Sequence, residues 1–389
     1  MTQPVRPRNP PLPRLALLRE MTDRAVLELV FAEGRTTRAE LAARTGISKP
    51  TISESVRRLE AAGVLREGGT DATGKRGRVA TFYELTVDAG CVLAVEVNQH
   101  GIHSLATDLT GVPFGERHRD PVRRSDAAAL TGAVQDAVRE TLGARQGKLR
   151  AVALSVANPV HPGTREIIAL PDSPFPEGEV PLQDALADLV QAPVLVDNDV
   201  NFSALAERRA GAATDAESFA YVYVGAGLGL SLYLGDQLVR GAHGLSGEIG
   251  YLRTTSGAPV AEAVARQGFG RQDDPALDVD AVLKTLTLAG DGDAVAQDAV
   301  RLLGETIGQA IAATCVIFDP ELVLLGGPVG GRPELLAPVR AVVSGSVPGP
   351  VRVEPGAVQD SAALRGALLS ALDTGRAQLT VPNAGADRA

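Results

Sequence analysis

Cysteine is scarce in this 389-residue chain, with only Cys91 and Cys315, both set in apolar runs far apart. Two such residues cannot make a disulfide framework or a cysteine-rich zinc site. They read as small core residues, and a reducing cytoplasm fits them. No run of about 18 consecutive apolar residues occurs, so no transmembrane helix is expected. Residues 1–13 carry Pro and Arg but lack the apolar stretch of a secretory signal. Lysine is rare among the basic residues, which reads as a coding bias toward Arg. Charged residues make up 22% and apolar ones 44%, the wrong balance for a largely disordered chain. The length predicts two or three domains of about 100–200 residues each.

A net charge of −9 argues against a protein that coats nucleic acid over its whole surface. The charge is unevenly spread, however. Residues 1–90 hold 15 Lys and Arg against 11 Asp and Glu, and the remainder is strongly acidic. One polyanion-binding module joined to an acidic body is the implied layout.

Residues 23–85 supply that module. Val26, Leu27, Val30 and Phe31 repeat with helical period over residues 24–32, and Gly34 ends the pattern. Thr37 and Glu40 have the spacing of a capping box. Gly46 makes a tight turn, Ser48 caps a further helix, and Pro50 falls in its first turn. Ile52, Val56 and Leu59 face inward on that helix. A helix-turn-helix results. Its outer face carries Lys49, Thr51, Ser53, Glu54, Arg57 and Arg58, with Thr37, Ser48 and Pro50 at the helix starts, where base edges and phosphates are reached. A Gly-rich basic hairpin follows, with Lys75, Arg76 and Arg78 at its tip and a strand over residues 79–85. This is a wing that reaches a minor groove or clamps phosphates. The competing reading is a three-helix protein-contact module with solvated charges. Arg6, Arg8, Arg14 and Arg19 read as a flexible leading segment.

From Cys91 onward, strand patterns alternate with helical ones, indicating an α/β body of two lobes with a cleft. Strands are expected at 92–97, 102–108, 152–156, 193–196, 219–224, 228–234 and 322–325. Helices are expected at 127–142, 181–189, from after Asn201 to about 210, and from about 295 to 318. His103, His118 and His161 read as surface positions and His243 as a turn residue.

Motifs within the body resemble one family. Asp197-Asn198-Asp199-Val200-Asn201 through Ala204-Leu205-Ala206-Glu207 is similar to the DNDxN…ALAE segment of the ROK family (repressors, open reading frames and kinases). Gly225-Ala226-Gly227-Leu228-Gly229, Gly241-Ala242-His243-Gly244 and Gly247-Glu248-Ile249-Gly250 resemble its signature, and Asp319-Pro320-Glu321 with Gly326-Gly327 also matches. The resemblance covers roughly residues 23–372, with the winged module typical of the repressor branch. It implies an α/β fold: an N-terminal winged helix-turn-helix followed by a two-lobed actin-like ATPase body. The domains expected are a flexible tail (1–22), the DNA-binding module (23–86), a first lobe (87–198) completed by a C-terminal helix (358–372), a second, oligomerising lobe (199–357) and a tail (373–389).

The same resemblance implies a sugar or sugar-derivative effector held by Asp172, Asn198, Asp199, Glu248 and Tyr251. Asp199 matches the family kinases' general base. Other roles stay open: Asp197, Asn198 and Asp199 as helix caps, Glu248 as an ion-pair partner of an Arg. Three departures stand out. The kinases' phosphate-binding strand ends in Asp-x-Gly-Gly-Thr, whereas this chain has Glu96-Val97-Asn98-Gln99-His100. Side chains replace the glycines that let backbone approach phosphate, so ATP phosphoryl transfer is not expected. Tyr251 stands where the family often has His, and residues 256–269 contain no Cys, so no zinc or other metal is expected. Asp172 stands where Asn is usual. The chain is therefore expected to be a cytoplasmic transcriptional regulator, a repressor rather than an enzyme, with no cofactor. It would bind a pseudo-palindromic operator in double-stranded DNA as a homodimer or homotetramer. The alternatives are a regulator whose body only oligomerises, and an ATP-dependent sugar kinase.

Overall fold

The computed structural model describes residues 15–70, 80–122, 127–170, 180–271, 274–358 and 360–379. These fall into two compact units. One holds the chain up to Val92 with residues 107–114 and those from Asp373 onward; the other holds residues 93–106 and 115–372.

In the first unit, α1 (Leu15–Glu33) begins earlier than the apolar stripe at residues 24–32 and takes in residues assigned to a tail. β1 (Arg35–Thr37) leads into α2 (Arg38–Thr45). Thr37 Oγ1 accepts from the Glu40 N–H while the Thr37 N–H donates to Glu40 Oε2, which completes the capping box. Gly46 ends α2 at φ 69°, a left-handed conformation that glycine adopts without a Cβ penalty. Ser48 caps α3 (Lys49–Ala61), and Ile52, Val56 and Leu59 are buried against Val26, Leu27 and Val30 of the same core. β2 (Leu65–Thr70) and β3 (Thr81–Leu85) pair antiparallel, and β1 adds on the other side of β3. A three-stranded winged helix-turn-helix results. The wing tip, with Lys75, Arg76 and Arg78, lies outside the described residues, as do residues 1–14.

The second unit repeats one topology. β4 (Cys91–Asn98), β5 (Gly101–Asp108), β6 (Pro113–Arg119), α4 (Ala127–Leu142), β7 (Leu149–Val156), α5 (Leu182–Ala187) and β8 (Val194–Asn198) give a sheet ordered β6-β5-β4-β7-β8. α6 (Asp199–Ala210) follows directly. Then β9 (Ser218–Val224), β10 (Leu228–Leu234), β11 (Gln237–Leu238), α7 (Val260–Val264), the short pair β12 (Gly270–Arg271) and β13 (Asp274–Leu277), α8 (Val279–Gly290), α9 (Ala294–Phe318), β14 (Leu322–Gly326), α10 (Gly327–Gly330), α11 (Pro333–Ser346), β15 (Arg352–Pro355) and α12 (Ala362–Ala377) complete the chain. The second sheet runs β11-β10-β9-β14-β15. In both sheets the first strand of the half is central and its two successors flank one side. The sequence reading missed β6, β15, α8 and α11, along with the short β11, β12, β13, α7 and α10.

Alternation explains why the second sheet is covered on both faces. Val222, Val224, Val323 and Leu325 join one core with Leu303 and Ile307 of α9 and Val339 of α11. Phe219, Tyr221, Leu322 and Leu324 join another with Val200 and Ala204 of α6. By length and composition α9 could cross a membrane, but more than half of its apolar window is buried inside this unit. It is the core helix of the second half.

α6 and α12 pack unusually close. A Cβ on Gly366 would sit 1.8 Å from the Phe202 carbonyl oxygen, so only glycine fits there. Glu207, fully buried at the end of α6, accepts from the Ala212 and Val358 N–H groups at 2.8 Å each. That carboxylate holds the approach to α12. α12 itself continues to Ala377, past residue 372, where a tail was expected to begin.

Candidate functional site

Two regions carry the predicted functional residues. On α3, Ser48, Lys49, Pro50, Thr51, Glu54 and Arg57 are exposed and Ser53 is half-buried. The Ser48 and Thr51 hydroxyls lie 2.8 Å apart, and Ser48 Oγ also caps the helix. Lys49 has no partner among the described residues. Arg57 pairs with Glu54, whose carboxyl is held below the usual range by the hydrogen bond from Arg57 and by its charge.

Two of the predicted contacts are spent inside the module. Arg58 donates to Asp23 through Nη2 at 2.6 Å and Nε at 3.3 Å, and Asp23 is 4% exposed. The buried Ser55 hydroxyl donates to the same carboxylate. Arg58 therefore ties α3 to α1 instead of facing outward. Thr37 is buried and its hydroxyl is engaged with Glu40. Helical period alone did not separate these residues from the outer face, because Arg58 lies at its edge. The sequence reading placed Arg19 in a flexible leading segment. It sits instead on α1, close enough for its charge to act on Glu54.

In the second unit, a cavity of about 800 Å³ opens where the ends of both sheets meet α6, α10 and the residues before α12. Asn198, Asp199, Glu248 and Tyr251 all line it, joined by Glu96, Asn98, Gln99 and His100 from the end of β4. Asp172 lies outside the described residues. Asn198 Oδ1 accepts from the Val200 N–H at 3.0 Å and its Nδ2 donates to the Asn158 carbonyl at 3.2 Å. The helix-capping role is thus real, and most of that amide is already used. Asp199 Oδ1 accepts from the Val200 N–H at 2.8 Å. Burial, then the nearby Glu96 and Glu248 charges, push its carboxyl up to about 7. Burial raises Glu248 to about 7 as well, and no Arg pairs with it among the described residues. Asp197, by contrast, bonds Arg240, the Asn198 N–H and Asn201. It is a structural member of its motif. Tyr251 is 49% exposed, at the cavity margin.

The end of β4 folds back on itself. Asn98 Nδ2 donates to Glu96 Oε1 at 3.1 Å, and Asn98 Oδ1 accepts from the His100 N–H at 2.8 Å. Amide side chains and their hydrogen bonds occupy the stretch where a phosphate cradle needs bare backbone. Across the cavity, the Tyr223 hydroxyl lies 2.5 Å from where a Cβ on Gly225 would be. The glycine of that hairpin accommodates a tyrosine. Among the described residues no group of three or more His, Cys, Asp or Glu is placed to hold a metal ion. His103, expected at the surface, pairs with Glu116 at 2.8 Å and stands edge-on to His118. Cys91 and Cys315 are both buried.

Comparison with known proteins matches these two regions separately. A ROK family model matches residues 92–374, and a winged helix-turn-helix DNA-binding model matches residues 21–66. The chain is 24% identical over 347 residues to the N-acetylglucosamine repressor of Escherichia coli O6:H1, covering 83% of this chain and 84% of that one. It is 22% identical over 347 residues to the xylose repressor of Bacillus subtilis, covering 85% and 88%. Among solved structures it resembles a ROK family transcriptional regulator described as a homologue of the Escherichia coli MLC protein, with TM-score 0.68 and 20% identity over 93% of this chain and 98% of that one. A ROK glucokinase from Streptomyces griseus, solved with glucose and AMPPNP, shares the body fold with TM-score 0.58 and 22% identity over 72% of this chain and 99% of that one.

Proposed function

The chain belongs to the ROK family, and from that premise we propose that it is a DNA-binding transcriptional regulator of sugar metabolism, acting as a repressor. The observation that carries this reading is the exposed outer face of α3. Lys49, Thr51 and Arg57 stand there without a packing role, on a winged helix-turn-helix joined to a ROK body. The repressors it is similar to, named for N-acetylglucosamine and xylose, support the sugar connection.

Residues 23–86 form the DNA-binding module in this reading. The body divides into lobes at 87–198, completed by 358–372, and 199–357. The second lobe makes the homodimer or homotetramer that a pseudo-palindromic operator requires. Ser48, Lys49, Pro50, Thr51, Ser53, Glu54 and Arg57 face DNA, with Lys75, Arg76 and Arg78 of the wing clamping phosphates. The effector is a sugar or sugar derivative in the large cavity, contacted by Asp199, Glu248, Tyr251, Asp172 and the remaining amide proton of Asn198. It changes DNA affinity only insofar as it binds two conformations unequally. A cytoplasmic location accords with a regulator of DNA.

We read the cleft as having no kinase activity, because Asn98 and Gln99 fill the phosphate strand and Tyr223 crowds Gly225. A coupled ATPase assay with a panel of sugars tests that part; sugar-dependent turnover abolished by Asp199→Asn would overturn it. The main test is selection of randomised duplexes by the purified full-length protein at near-physiological salt. Enrichment of a two-fold symmetric motif is expected. Binding without enrichment, fading as salt rises, would sink the reading.

A further inference from the structure

A second, smaller cavity of about 160 Å³ lies in the same unit. Asn201 lines both cavities; Asn198 and Asp199 face only the large one, and Asp197 only the small one. Its walls are largely apolar, from β8, α6 and β11. Its polar groups are Arg165, Asp197, Asn201, Tyr233, Arg240 and Ser370.

Donors outnumber acceptors there. The Asp197 carboxylate is already engaged, accepting from the Asn198 N–H at 2.9 Å, from Asn201 Nδ2 at 2.8 Å and from Arg240. Arg240 Nε–H is buried and has no acceptor. The Tyr233 side chain is 4% exposed, and its hydroxyl has no hydrogen-bond partner among the described residues. Burial raises that phenol to about 12, so it keeps its proton and donates. The Arg165 guanidinium and the Ser370 hydroxyl also lack partners among the described residues. Arg165 and Arg240 stand in this lining against the single carboxylate of Asp197, so the lining is net positive.

Of these groups Arg165 is exposed and Ser370 half-buried, while Tyr233 is buried and Arg240 Nε–H is a buried donor left unmade, which is costly. Water would satisfy some of them but would leave the positive charge unbalanced. A ligand that supplies several acceptor oxygens and negative charge answers both deficits, and guanidinium groups suit phosphate geometry in particular. The volume admits a tetrahedral oxyanion with space beside it. We propose that this pocket binds a phosphate group, held by Arg165, Arg240 Nε–H and the hydroxyls of Tyr233 and Ser370. Those residues come from the segment after β7, from β10, from the turn after β11 and from α12. One anion therefore ties together stretches that are distant in sequence and drawn from both halves of the body. The site does not depend on the large cavity taking a sugar.

Calorimetric titration and thermal melting of the full-length protein test the proposal. The probes are inorganic phosphate and glycerol 3-phosphate at low millimolar concentration, with chloride at matched ionic strength as reference. Phosphate salts stabilise folded proteins generally, so the informative quantity is the difference between the parent and its variants. Tyr233→Phe keeps the ring stacked 5.0 Å from Phe219 and removes only the hydroxyl. It is expected to weaken phosphate binding about tenfold, the effect of one hydrogen bond to a charged group. The melting temperature without phosphate should stay unchanged. Ser370→Ala should behave likewise, and Arg165→Gln combined with Tyr233→Phe should abolish binding. Binding of inorganic phosphate assigns the site to the free oxyanion. Binding of the ester alone assigns it to the phosphate group of a larger metabolite. Binding of neither, or equal binding by the parent and the double variant, overturns the proposal.

Discussion

Arg57 and Arg58 are neighbours with the same side chain and opposite fates. Arg57 is exposed and, among the described residues, pairs only with the exposed Glu54. Water screens an exposed pair and leaves it little net stability, so Arg57→Ala should barely move the melting temperature. It should lower the slope of log affinity for DNA against log salt by about one. Arg58→Ala leaves the buried Asp23 with only Ser55 and is expected to cost about 1–3 kcal/mol of stability. Denaturant melts and salt-dependent binding of the two variants separate the roles; equal loss of stability would contradict the assignment. Asp199 is the other residue whose environment makes a sharp prediction. Its folded pKa of about 7 lies above the ordinary carboxylate value, so the folded state binds the proton more tightly than the unfolded chain does. That penalty is absent below about pH 4, grows as pH rises and is complete above pH 7. Asp199→Asn keeps an acceptor for the Val200 N–H and removes the charge. It should stabilise the protein at pH 8 by about 1–4 kcal/mol and by far less at pH 5. Melts at both pH values check this, and a pH-independent effect would contradict it.

Elements were legible where their period was long or their caps were local. α4 matched its predicted bounds, α9, β9 and β10 were within a residue or two, and α6 ended where expected but began earlier, at Asp199. The capping box at Thr37 and the caps at Ser48 and Asn198 need only residues a turn apart. The missed strands β1, β6 and β15 are short or half-exposed and are defined by the partners they pair with. Nothing in Arg35-Thr36-Thr37 announces that β3 lies alongside. The ends of α12 illustrate the same limit. Near its start, Gly366 meets α6; at its end, Arg376 lies 4.5 Å over the Phe31 ring of α1 and donates to the Leu109 carbonyl at 2.8 Å. Gly366→Val should cost about 1–3 kcal/mol by overpacking. Arg376→Ala should cost about 1–2 kcal/mol through the lost cation–π contact and hydrogen bond. Chemical denaturation of the full chain measures both, and a neutral Gly366→Val would mean that α6 and α12 separate freely.

At the scale of the whole molecule, two sheets of the same strand order share one unit, and the large cavity opens between their ends. A ligand that binds only the folded form must raise its melting point, by about 2.7 kcal/mol of added stability at a hundredfold excess over Kd. The cognate sugar should do so in the parent and not in Glu248→Ala, and scanning calorimetry with a sugar panel reads both. The sequence by itself determined the basic module, the α/β body, the family motifs and the substitutions in the phosphate strand. Those signals are carried by residue type and short spacing, which survive without knowledge of the fold. Only the tertiary structure decided that Arg58 turns inward, that Asp197 is structural while Asp199 faces the cavity, and that Arg165, Tyr233, Arg240 and Ser370 share a pocket. The reason is physical. Burial and the choice of partner are set by groups tens to hundreds of residues away, and no local pattern records which hydrogen bonds those distant groups have already made.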